Sequence, residues 1–212
     1  MSNYIESLNW RYATKKYDAS KKVSAEDIES LKEAVRLSVS SIGLQPYKVF
    51  IVETDEMRNK LKEAAGGNNQ NLIADASHLF IFANEVNIGE KQVEEYVNNI
   101  SSTRDIPVEN LKGFTDYINS YIGSLTNEQK NAWTIKQSYI ALSTLVNAAA
   151  HLKIDTTAME GYNAAEFNKI LGLEAVGLNA AVIAAVGYRH EEDANQHLKK
   201  VRKSKEELFT TI

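Results

Sequence analysis

The run Ser77-His78-Leu79-Phe80-Ile81-Phe82-Ala83 decides the fold class. It is apolar almost throughout and of strand length, the mark of a strand covered on both faces. Two further segments carry a β-branched and apolar signature, Tyr47-Lys48-Val49-Phe50-Ile51-Val52-Glu53 and the stretch from Leu178 to Tyr188. Outward from these the chain reads mostly as helix. Residues 3–9 form a short one. Ser24 caps a helix to about Arg36, with Glu26 and Asp27 in the first turn, where the helix dipole favours anions. A loop from Ser38 to Pro46 precedes the Tyr47 strand. Thr54 caps a helix that stops at Gly66-Gly67, and Asn68-Asn69-Gln70-Asn71 reads as a polar loop. Residues 90–123 are helical and interrupted near Pro107. Thr126 and Gln129 make a capping box that opens the longest helix, reaching about Leu152; its broad apolar surface makes it central. Thr156 to Tyr162 reads as a short turn, and Asn163 with Glu166 caps a helix ending at Gly172. The class that follows is α+β, a small and mostly antiparallel sheet surrounded by helices, in a single domain over 1–212.

The totals exclude several functions. With 43% hydrophobic and 25% charged residues, a chain of 212 can bury a real core. A net charge of −4 argues against a nucleic-acid-binding surface. The absence of cysteine removes disulfides, thiolate metal sites and cysteine nucleophiles. No apolar run approaches the roughly 18 residues of a membrane span. The stretch Met1-Ser2-Asn3-Tyr4-Ile5-Glu6 lacks the layout of a secretory signal, so the expected location is the cytoplasm, with no membrane partner. None of the four histidines (His78, His151, His190, His197) has metal-ligand spacing, and no metal is expected. His78 reads as a satisfied core residue. There is no G-x-G for a dinucleotide or phosphate loop, and no G-x-S-x-G elbow. A chain with cations and polar loops but no evident acid, base or nucleophile suits chemistry done by a bound organic cofactor.

The densest binding candidate is Arg11-Tyr12-Ala13-Thr14-Lys15-Lys16-Tyr17-Asp18. In an extended segment Arg11, Ala13 and Lys15 share one side, and Tyr12, Thr14 and Lys16 the other. A guanidinium fork beside a compact ammonium suits phosphate or the polar edge of a ring. Alone, the run reads first as a solvated basic turn, and the tail with Lys199, Lys200, Arg202, Lys203 and Lys205 is as readily a solvated charge run as a binding segment. Phe114, Tyr117 and Tyr121 form an aromatic stripe, read first as core and second as channel lining.

Taken in order, four segments resemble the FMN-dependent nitroreductase family, in its oxygen-insensitive NAD(P)H nitroreductase and dihydropteridine reductase-like branch. Arg11 to Asp18 is similar to the family's R-[HYR]-[SA]-x-[KR]-x-[FY]-D opening. Ser40-Ser41, followed by Gln45-Pro46, is similar to its P-S-S-x-x-x-Q-P-W loop. Asn69-Gln70 and then Asp75-Ala76-Ser77-His78 lead into the buried strand. Glu160-Gly161-Tyr162 pairs with Val186-Gly187-Tyr188 and the tail Lys200-Val201-Arg202.

This resemblance implies an intertwined homodimer with FMN at the subunit interface and NAD(P)H as co-substrate. The implied reaction is ping-pong hydride transfer through flavin N5 to a nitroaromatic or quinone-type acceptor, with no dedicated acid or base. It assigns Arg11, Lys200 and Arg202 to the phosphate, Lys15 to flavin N1/O2, and Tyr12 and Ala13 to further cofactor contacts. Asn69 goes to the pyrimidine edge, and Glu160 and Gly161 to backbone contacts near N5. Ala158 and Met159 are added as cofactor contacts, and Ser40, Ser41 and Gly43 come from the second subunit. Lys15, Glu160 and Gly161 therefore form the catalytic environment. Val39, Gly43, Ala13, Tyr47 and Leu72 depart from the family's usual proline, asparagine, serine, tryptophan and lysine. The missing lysine at Leu72 bears on cofactor affinity and NADPH preference. These departures keep open a non-catalytic flavin-binding protein for storage or sensing. A cofactor-free module whose basic tail meets an acidic partner is a further alternative.

Overall fold

A computed structural model describes residues 3–212; Met1 and Ser2, part of the N-terminal stretch read for a signal, lie outside the described residues. In chain order the elements are α1 (Asn3–Trp10), α2 (Ala25–Arg36), β1 (Tyr47–Val52), α3 (Asp55–Lys62), α4 (Asn69–Asp75), β2 (His78–Glu85), α5 (Glu90–Arg104), α6 (Lys112–Ser124), α7 (Asn127–His151), β3 (Asp155–Met159), α8 (Ala164–Leu171), β4 (Leu178–Gly187) and α9 (Lys205–Leu208). The strands make one antiparallel sheet in the order β1-β2-β4-β3.

Both faces of the two inner strands are covered, which is why they are apolar without alternation. Leu79, Ile81 and Ala83 of β2 join Ile183 and Ala185 of β4 in one core, which also holds Leu61, Leu72, Ile73 and Phe167 from α3, α4 and α8. Phe80 and Phe82 join Val182, Ala184 and Val186 in the opposite core, with Ala141, Leu142 and Leu145 of α7. Each large side chain so buried contributes roughly 1.5–3 kcal/mol of transfer free energy. A third cluster unites α5 and α6 through Val93, Val97, Ile118 and Ile122. The long α7 lies against the sheet and packs with α1 and α2, and Ile28, Leu31 and Val35 of α2 share its core with the sheet. Its capping box is present, Thr126 accepting from the Gln129 N–H.

Two segments differ from their sequence reading. Asn68–Asn71 is the solvent-facing first turn of α4, held down by the fully buried Leu72 and Ile73. The segment 156–162, read as a turn, begins as β3: Thr156 pairs with Val186 and Thr157 with Ala185. The aromatic stripe is corrected too. Phe114, Tyr117 and Tyr121 are 38%, 62% and 37% exposed, so they sit on the outer side of α6 and not in the core. The helix after Thr54 ends at Lys62, short of Gly66.

Candidate active site

Arg11, Ala13 and Lys15 line one wall of a cleft of about 350 Å³, joined by Tyr12 and by Asn195, Gln196, Lys199, Lys200 and Arg202 from the tail. Thr14 points inward and is buried, its hydroxyl reaching Asp155 at 3.3 Å, as strand alternation requires. The segment is laid along the end of the sheet: Ala13 bridges Thr156, Tyr17 bridges Arg189, and the Asp18 N–H donates to the Tyr188 carbonyl. Among its described lining residues the cleft has five cations and no carboxylate.

The cations crowd one another. Burial, and then the neighbouring Arg202, holds the Arg11 guanidinium below its ordinary pKa; burial, Arg11 and Arg202 do the same to Lys200. Arg11 Nε is buried with no hydrogen-bond partner. Lys200 donates its ammonium to the Arg11 carbonyl, tying the tail to this wall. Crowded, partly desolvated cations with an unsatisfied donor are an arrangement that an anion would relieve.

A second cleft, of about 640 Å³, is lined by Gly66, Glu160, Gly161, Tyr162 and Glu166 among others. The start of α4 bridges the two clefts. Asn68 Nδ2 donates to the Lys15 carbonyl at 3.1 Å, and Asn69 Nδ2 donates to the Gly161 carbonyl at 3.1 Å. That carbonyl also accepts the Gly66 N–H at 3.0 Å. A Cβ added at 161 would lie 2.6 Å from Asn69 Nδ2, so only glycine leaves that amide where it stands. Ala158 is exposed on β3, whereas the Met159 side chain lies in the core, leaving Met159 only its main chain for any ligand.

Ser40, Ser41 and Gly43 line neither cleft. Ser40 Oγ accepts the Gln45 N–H at 3.0 Å, and the Ser41 N–H donates to Gln137 at 2.8 Å. Gly43 has a φ of +85°, and its missing Cβ leaves room for the Tyr96 hydroxyl, which would come within 2.4 Å of one. That hydroxyl donates to the Ile42 carbonyl, so Tyr96 fills the space an asparagine side chain would need. Leu72 is buried on α4 within the core and lines neither cleft.

Sequence reading missed the residues that hold the basic segment. Asp193 is buried; one of its oxygens accepts the Lys15 N–H at 2.7 Å, the Lys16 N–H at 3.2 Å and the Tyr12 hydroxyl at 2.9 Å. Burial alone would raise its pKa, but these donors, with the Asn195 N–H, outweigh that and keep it low. Asp155 pairs with Arg189 at 2.7 Å, and that guanidinium lies over the rings of Trp10 and Tyr12, at 4.3 and 4.6 Å from their centres. Both rings adjoin the cationic cleft.

The sequence profile described as the nitroreductase family matches residues 8–188. The chain belongs to the nitroreductase family. The chain is similar to the major NAD(P)H-flavin oxidoreductase of Aliivibrio fischeri, 34% identical over 213 residues and covering 98% of each chain. In fold it is similar to a nitroreductase family protein of Streptococcus pneumoniae, with a TM-score of 0.85 at 19% identity, over 99% of this chain and 100% of the other. It is also similar to a nitroreductase-type protein of Exiguobacterium sibiricum in complex with FMN, with a TM-score of 0.84 at 16% identity, over 100% and 98% of the two chains. The nitroreductase fold thus accommodates this helix-rich chain with its small antiparallel sheet. Among the described residues no helix is long and apolar enough to cross a membrane, and no histidine and carboxylate cluster could hold a metal.

Proposed function

We propose that this nitroreductase-family chain, over 1–212 as one domain, is an FMN-dependent oxidoreductase that carries hydride from NAD(P)H to nitroaromatic or quinone-type acceptors by a ping-pong route. The observation that carries the reading is the cationic cleft: burial and the neighbouring Arg202 hold the Arg11 guanidinium below its ordinary pKa, burial with Arg11 and Arg202 does the same to Lys200, Arg11 Nε lacks a partner, and no carboxylate is among the described lining residues. Such a donor set fits a phosphate dianion, which needs several donors at once. The FMN-bound relative of the same fold supports the choice of ligand.

Bound FMN supplies a ring that accepts and gives up hydride at N5; the protein's part is to bind and orient. Arg11, Lys200 and Arg202 hold the phosphate. Tyr12 and Ala13 form the cleft wall beside it, and Lys15 places a positive charge at the ring's polar edge, where negative charge collects on reduction. Asn69 provides an amide to the pyrimidine edge. Glu160 and Gly161 would offer main chain to the reacting edge of the ring, and Ala158 a further cofactor contact. Since Ser40, Ser41 and Gly43 line neither cleft, the reading assigns them to the site of a second copy in a homodimer. The tail supports that assembly, with Val201 83% and Phe209 68% exposed.

The visible spectrum of freshly purified protein tests the reading. A yellow protein that bleaches within seconds of anaerobic NADPH addition supports it. A yellow protein that stays oxidised over minutes supports flavin binding without turnover. A colourless protein that takes up no added FMN removes both.

A further inference from the structure

Tyr139, on α7, donates its hydroxyl to Glu160 Oε1 at 2.5 Å. That is the length expected for a hydroxyl bound to an ionised carboxylate. Glu160 is exposed and Tyr139 is at the border of exposure, so the bond lies at the rim of the second cleft and not in the core. Burial first, and then the bond to Glu160 and its charge, push the tyrosine hydroxyl up to about 12, so it remains a donor at neutral pH.

The main chain around Glu160 is fixed by other means. The Tyr162 N–H donates to the Glu160 carbonyl at 2.8 Å, and the Gly161 carbonyl takes both the Gly66 N–H and the Asn69 amide. What these bonds leave unrestrained is the Glu160 carboxylate, and Tyr139 restrains it. Glu63, Glu160 and Glu166 line the cleft there, with no lysine or arginine among its described lining residues. An exposed glutamate left to itself would swing into water, where its charge is screened. Held at the cleft wall, the same charge keeps a fixed, short distance from whatever enters there, and its effect grows as that distance shrinks.

We propose that Tyr139 is a positioning residue that pins the Glu160 carboxylate at the mouth of the active site, making it a fixed discriminator against anionic acceptors. The inference rests on the oxidoreductase reading above, with Glu160 and Gly161 beside the reacting edge of FMN.

The test compares FMN-loaded wild type, Tyr139→Phe and Glu160→Gln with two acceptors of like shape, neutral nitrobenzamide and anionic nitrobenzoate. The ratio of their KM values is the readout in turnover. Binding of non-reacting benzamide and benzoate, followed through the absorbance of the oxidised flavin, gives the same ratio without turnover. Glu160→Gln is expected to relax discrimination against the anion about tenfold. Tyr139→Phe, which keeps the carboxylate but frees it, is expected to relax it in the same direction by a smaller factor. Wild-type discrimination in Tyr139→Phe beside a relaxed Glu160→Gln overturns the role of Tyr139. Wild-type discrimination in both overturns the discriminator altogether. Failure of the wild type to take up FMN is a different result, which overturns the oxidoreductase reading and this inference with it.

Discussion

Asn69 donates its side-chain amide to the Gly161 carbonyl at 3.1 Å, and a Cβ on residue 161 would stand 2.6 Å from that same nitrogen. The two positions compete for one space. Because the atom in the way is the end of a mobile side chain, Gly161→Ala should displace Asn69 and leave the main chain in place. The expected stability loss is below about 1 kcal/mol, within the usual range for changes near a surface. FMN affinity should fall about tenfold, the cost of one well-placed hydrogen bond. Denaturant midpoints and FMN titrations separate the two quantities. Asn69→Ala in the Gly161→Ala background should add little, since both changes remove the same contact.

Removing a cation from the cleft should act with opposite sign on the two forms of the protein. Arg202→Ala relieves repulsion on Arg11 and Lys200, so the apoprotein should melt at the same temperature as wild type or higher, while FMN is retained less well. Unchanged FMN retention would remove Arg202 from the phosphate site.

Lys200 adds a pH dependence. Its folded pKa is lowered, so its charged form is disfavoured in the apoprotein, and that penalty disappears as pH rises through the folded value. Apoprotein stability should therefore gain from Lys200 deprotonation at a pH below the ordinary lysine value of about 10.4. FMN affinity should fall over the same window as the cation is lost. Lys200→Met should bind FMN more weakly and lose that alkaline limb; a limb that persists in the variant would assign it to another group.

Asp193→Asn replaces a carboxylate that gathers the Lys15 and Lys16 N–H groups and the Tyr12 hydroxyl. A stability loss of about 1.5–3 kcal/mol is expected at neutral pH, the range for hydrogen bonds to charged groups. The folded pKa of Asp193 is lowered, so its contribution is present above the ordinary aspartate value of about 3.9 and lost as pH falls through the folded one. The gap between variant and wild type should close in acid, measured by urea unfolding at stepped pH. A gap that does not vary with pH would show that the charge of Asp193 is irrelevant.

Lys15→Met should lower the reduction potential of bound FMN more than it changes FMN affinity, because the ammonium faces the cleft while Asp193 anchors the backbone of Lys15. Dye-equilibrated reduction checks this. A potential that does not move removes the electronic role of the lysine.

The legible parts of the sequence were those where one physical demand dominates. Buried on both faces, β2 and β4 could not be other than apolar, and the capping box of α7 announced itself at Thr126. The α4 helix was hidden because its first turn faces water, so Asn68 to Asn71 look like a loop until Leu72 and Ile73 are seen to be buried. In the site, the cations at 11, 15, 200 and 202 were visible as charge. Asp193 was not, because it follows two exposed glutamates and its partner Lys15 is 178 positions away. Tyr139 was invisible for the same reason: its partner is on another element. Gly43 was visible as a departure from the family pattern, and its cause, the Tyr96 hydroxyl, only in three dimensions.

The Arg189 guanidinium stacked on Trp10 makes one of the chain's two indoles a neighbour of the cationic cleft, while the other, Trp133, lies beside Tyr121 on the helical side. The molecule therefore carries its own optical probe of occupancy. With Trp133→Phe, the fluorescence that remains comes from Trp10, and an absorbing ring arriving in that cleft should quench it, so that filling of the site can be followed with no added label.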